Sequence, residues 1–102
     1  MDASDLRVFE AVARLGGMNR AAAALNTVQS NVTARVRRLE EELGTPLFHR
    51  QSRGVALTAA GRRLLPYANR VQHLLAEARQ AVADDGTPSG ALEVGSLETT
   101  AA

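Results

Sequence analysis

The segment Gln29-Ser30-Asn31-Val32-Thr33 gathers amide and hydroxyl side chains within little more than one helical turn, and Arg35, Arg37 and Arg38 follow directly. Amide side chains make paired hydrogen bonds to adenine, guanidinium groups pair with guanine or phosphate, and hydroxyls suit phosphate oxygens. On a helix, this set of donors matches the major groove of double-stranded DNA. Bond-making chemistry has no comparable support. Cysteine is absent, which excludes a disulfide framework, a thiolate metal site and a cysteine nucleophile. His49 and His73 are far apart, and no metal-spaced ligand set, phosphate loop or nucleophile–base pair accompanies them. The expectation is a non-enzyme with no cofactor and no metal.

The formal net charge of +1 hides an uneven distribution. Every basic side chain is arginine; the chain has no lysine. Arg35, Arg37, Arg38, Arg50, Arg53, Arg62 and Arg63 fall between residues 35 and 63, opposed there only by Glu40, Glu41 and Glu42. The other acidic groups lie towards the two ends. A local basic zone in a near-neutral chain can meet phosphates without general stickiness. A solvated mixed-charge face explains the same composition equally well, so charge alone does not decide. The acidic start carries no basic region before an apolar run, and no stretch approaches the ~20 apolar residues of a membrane span. A cytoplasmic protein with no membrane partner is expected.

The chemistry-bearing segment needs elements to hold it. Leu6, Phe9, Val12 and Ala13 recur at helical spacing, so a first helix is expected over residues 4–15, capped by Asp2 or Ser4 and ended by Gly16-Gly17. A short second helix follows, with Asn19 as its expected cap and four alanines small enough to let another helix approach closely. Val32, Val36, Leu39 and Leu43 give the third helix, residues 28–43, a core stripe. Its three late glutamates would repel phosphate, which points its N-terminal half towards nucleic acid. Gly44 and Pro46 end that helix. Two short strands, 47–50 and 55–57, are expected around the turn Gln51-Ser52-Arg53-Gly54.

Thr58 can cap a long fourth helix reaching about residue 83, in which Pro66 predicts a bend or loosened turn near residues 62–66. Leu64, Ala68, Val71, Leu75, Ala78 and Val82 step by four and three, the spacing of a helix–helix seam, and predict a homodimer. Residues 84–90 read as a linker, and Leu92 and Val94 as the opening of a strand.

Leu6-Arg7-Val8-Phe9, Arg20-Ala21-Ala22 with Leu25, and Gln29 with Val32-Thr33 form an ordered set with Leu39-Glu40, Leu43-Gly44, Leu47-Phe48-His49-Arg50 and Leu57-Thr58-Ala59-Ala60-Gly61. With the tail Gly90-Ala91-Leu92-Glu93-Val94-Gly95-Ser96, the chain resembles the LysR-type transcriptional regulators along essentially its whole length. The resemblance implies a mainly α fold: a winged helix-turn-helix of three helices and a two-stranded β-wing, then a long dimerising linker helix. It divides the chain into a DNA-binding domain (1–58), a linker helix (59–85) and a hinge with the truncated start of an effector-binding domain (86–102).

The same resemblance implies an antiparallel dimer, a tetramer in full-length members, and a small-molecule inducer held only by the missing domain. By position, Gln29 resembles the family's base-reading residue. Ser30 and Asn31 are expected at bases or phosphates, Thr33 and Arg37 at phosphates, and Arg50 and Arg53 on the wing at backbone or narrow minor groove. Arg35 joins the candidate DNA contacts, although it sits at the edge of the buried stripe. The chain departs from the family at Val28, Ser30 and Ala34, where serine, proline and arginine are usual, so the preferred base sequence does not carry over. The rival reading is a winged-helix module that binds only protein.

Overall fold

The computed structural model describes residues 1–83, which form α1 (Ala3–Leu15), α2 (Met18–Ala24), α3 (Gln29–Leu43), β1 (Phe48–Gln51), β2 (Gly54–Leu57) and α4 (Ala59–Ala83). The expected linker at 84–90, the strand opening at Leu92 and Val94, and the hinge at 86–102 lie outside the described residues.

Asp2 starts α1 from extended backbone. Its carboxylate accepts from the Asp5 amide at 2.8 Å, while the Asp5 carboxylate accepts from the Asp2 amide at 3.3 Å. Two otherwise orphaned amides are thus satisfied reciprocally. Gly16, at φ 78°, ends the helix. Leu6, Val8, Phe9, Ala11 and Val12 are buried, and Phe9 and Val12 entirely so.

The expected cap of α2 is corrected: Gly17 occupies that position and Asn19 lies inside the first turn. Ala21 and Ala22 enter the core, whereas Ala23 and Ala24 face outward. Asn26 takes a left-handed φ of 63°, letting the Thr27 amide reach back to the Ala22 carbonyl at 2.9 Å. A short polar side chain tolerates this conformation, which makes the sharp turn into α3. In α3, Val32, Val36 and Leu39 are buried, but Leu43 is 39% exposed, which shortens the expected stripe. Leu43 is the last helical residue before the chain turns at Gly44, and Leu47 fills the core beyond that turn.

The strands form an antiparallel pair in the register Phe48↔Leu57 to Gln51↔Gly54, leaving Ser52 and Arg53 as the turn. Phe48 carries the hairpin onto α1, its ring centroid 5.3 Å from that of Phe9. The Val55 amide donates to the Gly16 carbonyl at 3.0 Å. Gly54 makes this approach possible: its φ is 136°, and a β-carbon there would collide with the Gly16 oxygen.

Thr58 caps α4 as expected. Its hydroxyl accepts from the Gly61 amide at 3.1 Å and donates to the Pro46 carbonyl at 2.7 Å. The loosened turn expected near Pro66 is not seen, and α4 is helical from Ala59 to Ala83. Buried Gly61 and Ala68 anchor the helix on both sides of the proline, which itself faces outward. Three residues of the seam expected with a partner helix also have neighbours within the chain. Ala68 is fully buried in the chain's own core, with Leu64 and Val71 packed against the same cluster, because α4 lies along α1. Among the described residues no helix is long and apolar enough to cross a membrane.

Gly61 has no room for a side chain: a β-carbon would overlap the Leu47 carbonyl and crowd the Leu57 side chain. Gly61→Ala should therefore destabilise by about 1–3 kcal/mol. In a domain of this size, each ~1 kcal/mol lowers Tm by about 4–8 °C. Thermal unfolding followed by circular dichroism measures the loss, and an unchanged Tm would refute the close contact between α4 and the wing.

Candidate nucleic-acid interface

A groove runs between α3 and the hairpin. From α3 it is lined by Gln29, Thr33 and Arg37, which follow one another at four-residue spacing and so share a face. Arg50 and Arg53 line the opposite side, Arg53 at the exposed tip of the turn. Five of the eight expected contact residues therefore meet on one surface. Ser30 and Asn31 are exposed at the start of α3 but do not line the groove, and Asn31 Nδ2 donates to the Thr27 hydroxyl at 3.2 Å.

Arg35 does not line the groove either. Its guanidinium turns to the start of α1, donating to Ser4 Oγ at 2.8 Å and to Asp5 Oδ1 at 3.3 Å. Arg38 donates to the same Asp5 oxygen at 3.0 Å. One buried carboxylate thus gathers two arginines of the basic zone and braces α3 against α1. The late glutamates are also partly committed. Glu40 Oε2 accepts from the Leu47 amide at 2.7 Å and the Phe48 amide at 3.3 Å, and Glu42 pairs with the Met1 ammonium at 2.6 Å.

Sequence reasoning missed Asn19, Arg20 and His49 as lining residues. For Arg20 a signal was present: a basic side chain in the first turn of a helix opposes its dipole. Here its guanidinium donates to the Leu15 carbonyl at 3.1 Å, at the mouth of the groove. His49 follows from alternation, since its neighbour Phe48 points into the core. Arg20, Arg37, Arg50 and Arg53 line the groove with Glu40 as its sole acidic group, so its field favours anions. Among the described residues, no group of three His, Cys, Asp or Glu could hold a metal.

Helix, sharp turn and helix, followed by a hairpin beside the second helix, define a winged helix-turn-helix domain. Residues 3–62 match the profile described as the bacterial regulatory helix-turn-helix protein, lysR family, and the chain belongs to that family. It is 54% identical over 101 residues to the HTH-type transcriptional regulator YofA of Bacillus subtilis (strain 168), covering 99% of this chain and 35% of that protein. The chain thus spans about a third of the length of such relatives.

Two solved structures share the fold. The CbnR_DBD–DNA complex superposes with a TM-score of 0.75 at 35% identity, covering 83% of this chain and 98% of that one. The BenM_DBD/benA site 1 DNA complex gives 0.78 at 28% identity, covering 86% and 99%.

Asp2 links this brace to pH. The hydrogen bond from the Asp5 amide, aided by Arg35 and Arg38, lowers its pKa from the ordinary 3.8. A lowered folded value means that the stabilisation is fully present above the unfolded pKa and disappears as pH falls through the folded one. Asp2→Asn keeps a cap oxygen but has no carboxylate to titrate. Melting curves taken from pH 6 down to pH 2 should therefore fall less steeply for the variant. Identical slopes would remove Asp2 from the acid response.

Proposed function

We propose that this chain is the DNA-reading, dimer-forming part of a cytoplasmic transcriptional regulator. The observation carrying the reading is that Gln29, Thr33 and Arg37 of α3 share one basic groove with Arg50 and Arg53 of the wing. The likeness to two domains described in complexes with DNA supports it. Residues 1–58 would bind DNA, α4 within 59–85 would dimerise, and 86–102 would lead to an effector-binding domain, where a small-molecule inducer would act. No catalytic step is assigned.

The start of α3 would enter a major groove with Gln29 against base edges, while Thr33 and Arg37 hold phosphate oxygens. The wing would follow the backbone, with Arg50 and Arg53 reaching phosphates or a narrowed minor groove. Two copies would read an interrupted inverted repeat. Their contact would use the apolar surface that α4 leaves uncovered: Tyr67 is 58%, Leu74 65% and Val82 81% exposed, with Ala78 between them. Leu75 adjoins this strip, whereas Leu64, Ala68 and Val71 serve mainly the chain's own core.

Duplexes selected from a random pool should carry two half-sites. Gln29→Ala should lose about 1–3 kcal/mol of discrimination at one base position. Arg53→Ala should weaken all duplexes alike and reduce the salt slope by about one. Two variants indistinguishable from the parent chain would favour a protein-binding module instead.

Leu74→Glu places a charge in the proposed interface and should shift the dimer to a still helical monomer, in sedimentation at micromolar concentration with circular dichroism alongside. An unaltered dimer would exclude this face of α4 from the contact.

A further inference from the structure

Glu40 lies on the same side of α3 as Thr33, two turns further along, and lines the groove. An unpartnered carboxylate here would oppose phosphate. Instead, a single oxygen, Oε2, accepts from both Leu47 and Phe48 amides, and charge-assisted bonds of this kind are the stronger ones. The backbone of Glu40 is fixed as well, its carbonyl accepting from the Gly44 amide at 2.8 Å and the Thr45 amide at 3.2 Å. One residue therefore closes the end of α3 and grips the start of the wing.

The rest of the wing's attachment runs elsewhere. Val55 is bonded to Gly16, Phe48 packs on Phe9, and the Thr58 amide donates to the Leu47 carbonyl at 3.0 Å. These contacts hold the hairpin to α1 and α4. Among hydrogen bonds of the described residues, the two to Glu40 are the ones joining α3 to the first hairpin residue, Phe48, and to Leu47 just before it. Loss of the carboxylate would thus leave the wing folded and attached but no longer registered against the helix beside it.

We propose that Glu40 is a positioning residue that sets the wing against the DNA-reading face of α3, so that both engage one duplex together. The proposal rests on the DNA-binding reading above. Glu40→Gln retains a carbonyl oxygen able to accept from the same amides, whereas Glu40→Ala retains none.

The test uses the full 102-residue chain and its selected duplex, comparing hydroxyl-radical footprints, salt slopes and melting temperatures. Glu40→Ala should lose protection beneath the wing while keeping its half-site preference. Its salt slope should fall by about 0.9 for every phosphate that the wing no longer neutralises. Glu40→Gln should restore most of the wing footprint. Hydrogen exchange without DNA should show the Leu47 and Phe48 amides exposed in Glu40→Ala and α3 unchanged.

Three results would overturn the proposal. They are an intact wing footprint in Glu40→Ala, tighter binding because the negative charge has gone, or parallel loss of wing and half-site protection that follows Tm. If the parent chain itself gives no footprint on any selected duplex, the DNA-binding reading fails. A parent footprint that survives unchanged in Glu40→Ala rejects only the role of Glu40.

Discussion

Phe9 and Val12 are fully buried on α1, the helix against which α2, α3, α4 and β2 all pack. The α2–α3 pair closes one side of α1, α4 lies along another, and the hairpin arrives through the tilted contact of Phe48 with Phe9. An aromatic pair and a few branched residues form most of the interior of this small domain. Such a core offers little redundancy, because a domain of this size buries only a modest share of its surface. The polar fasteners at its rim therefore matter more than they would in a larger protein.

Those fasteners divide the charged residues into two groups with different work. Asp5 draws Arg35 and Arg38 to the start of α1, and Glu40 is spent on two wing amides. Arg37, Arg50 and Arg53 remain at the groove. What counts for phosphate attraction is this remaining set rather than the number of arginines in the basic zone. A net charge of +1 is compatible with a locally positive groove because the carboxylates nearest to it are engaged or lie on other faces.

Close backbone approaches determine how the wing stands. Gly54 against Gly16 and Gly61 against Leu47 leave no space for a β-carbon, so the hairpin is clasped between the α1–α2 turn and the start of α4. Beyond the clasp, α4 lies along α1, and Leu64, Ala68 and Val71, which have the spacing of a two-helix seam, pack against the chain's own core. Tyr67, Leu74 and Val82 stay exposed on α4.

Helical periodicity, the glycine stops and the Thr58 cap were legible from sequence because they are governed by neighbours a few residues away, and the same rules narrowed the α1 cap to Asp2 or Ser4. By the same local rules, Gln29, Thr33 and Arg37 could be placed on one helical face. The partners of Arg35 and Glu40 could not be read this way, since Ser4 and Asp5 are about thirty residues from Arg35 and the amides of Leu47 and Phe48 lie across a turn from Glu40. Nor could heptad spacing say whether Ala68 meets its own α1 or a second chain, because both burials demand the same pattern. Local chemistry chose the elements and the candidate contacts. Only the packing of distant segments decided which charges stayed free and which apolar residues stayed exposed, because those outcomes depend on what arrives from elsewhere in the chain.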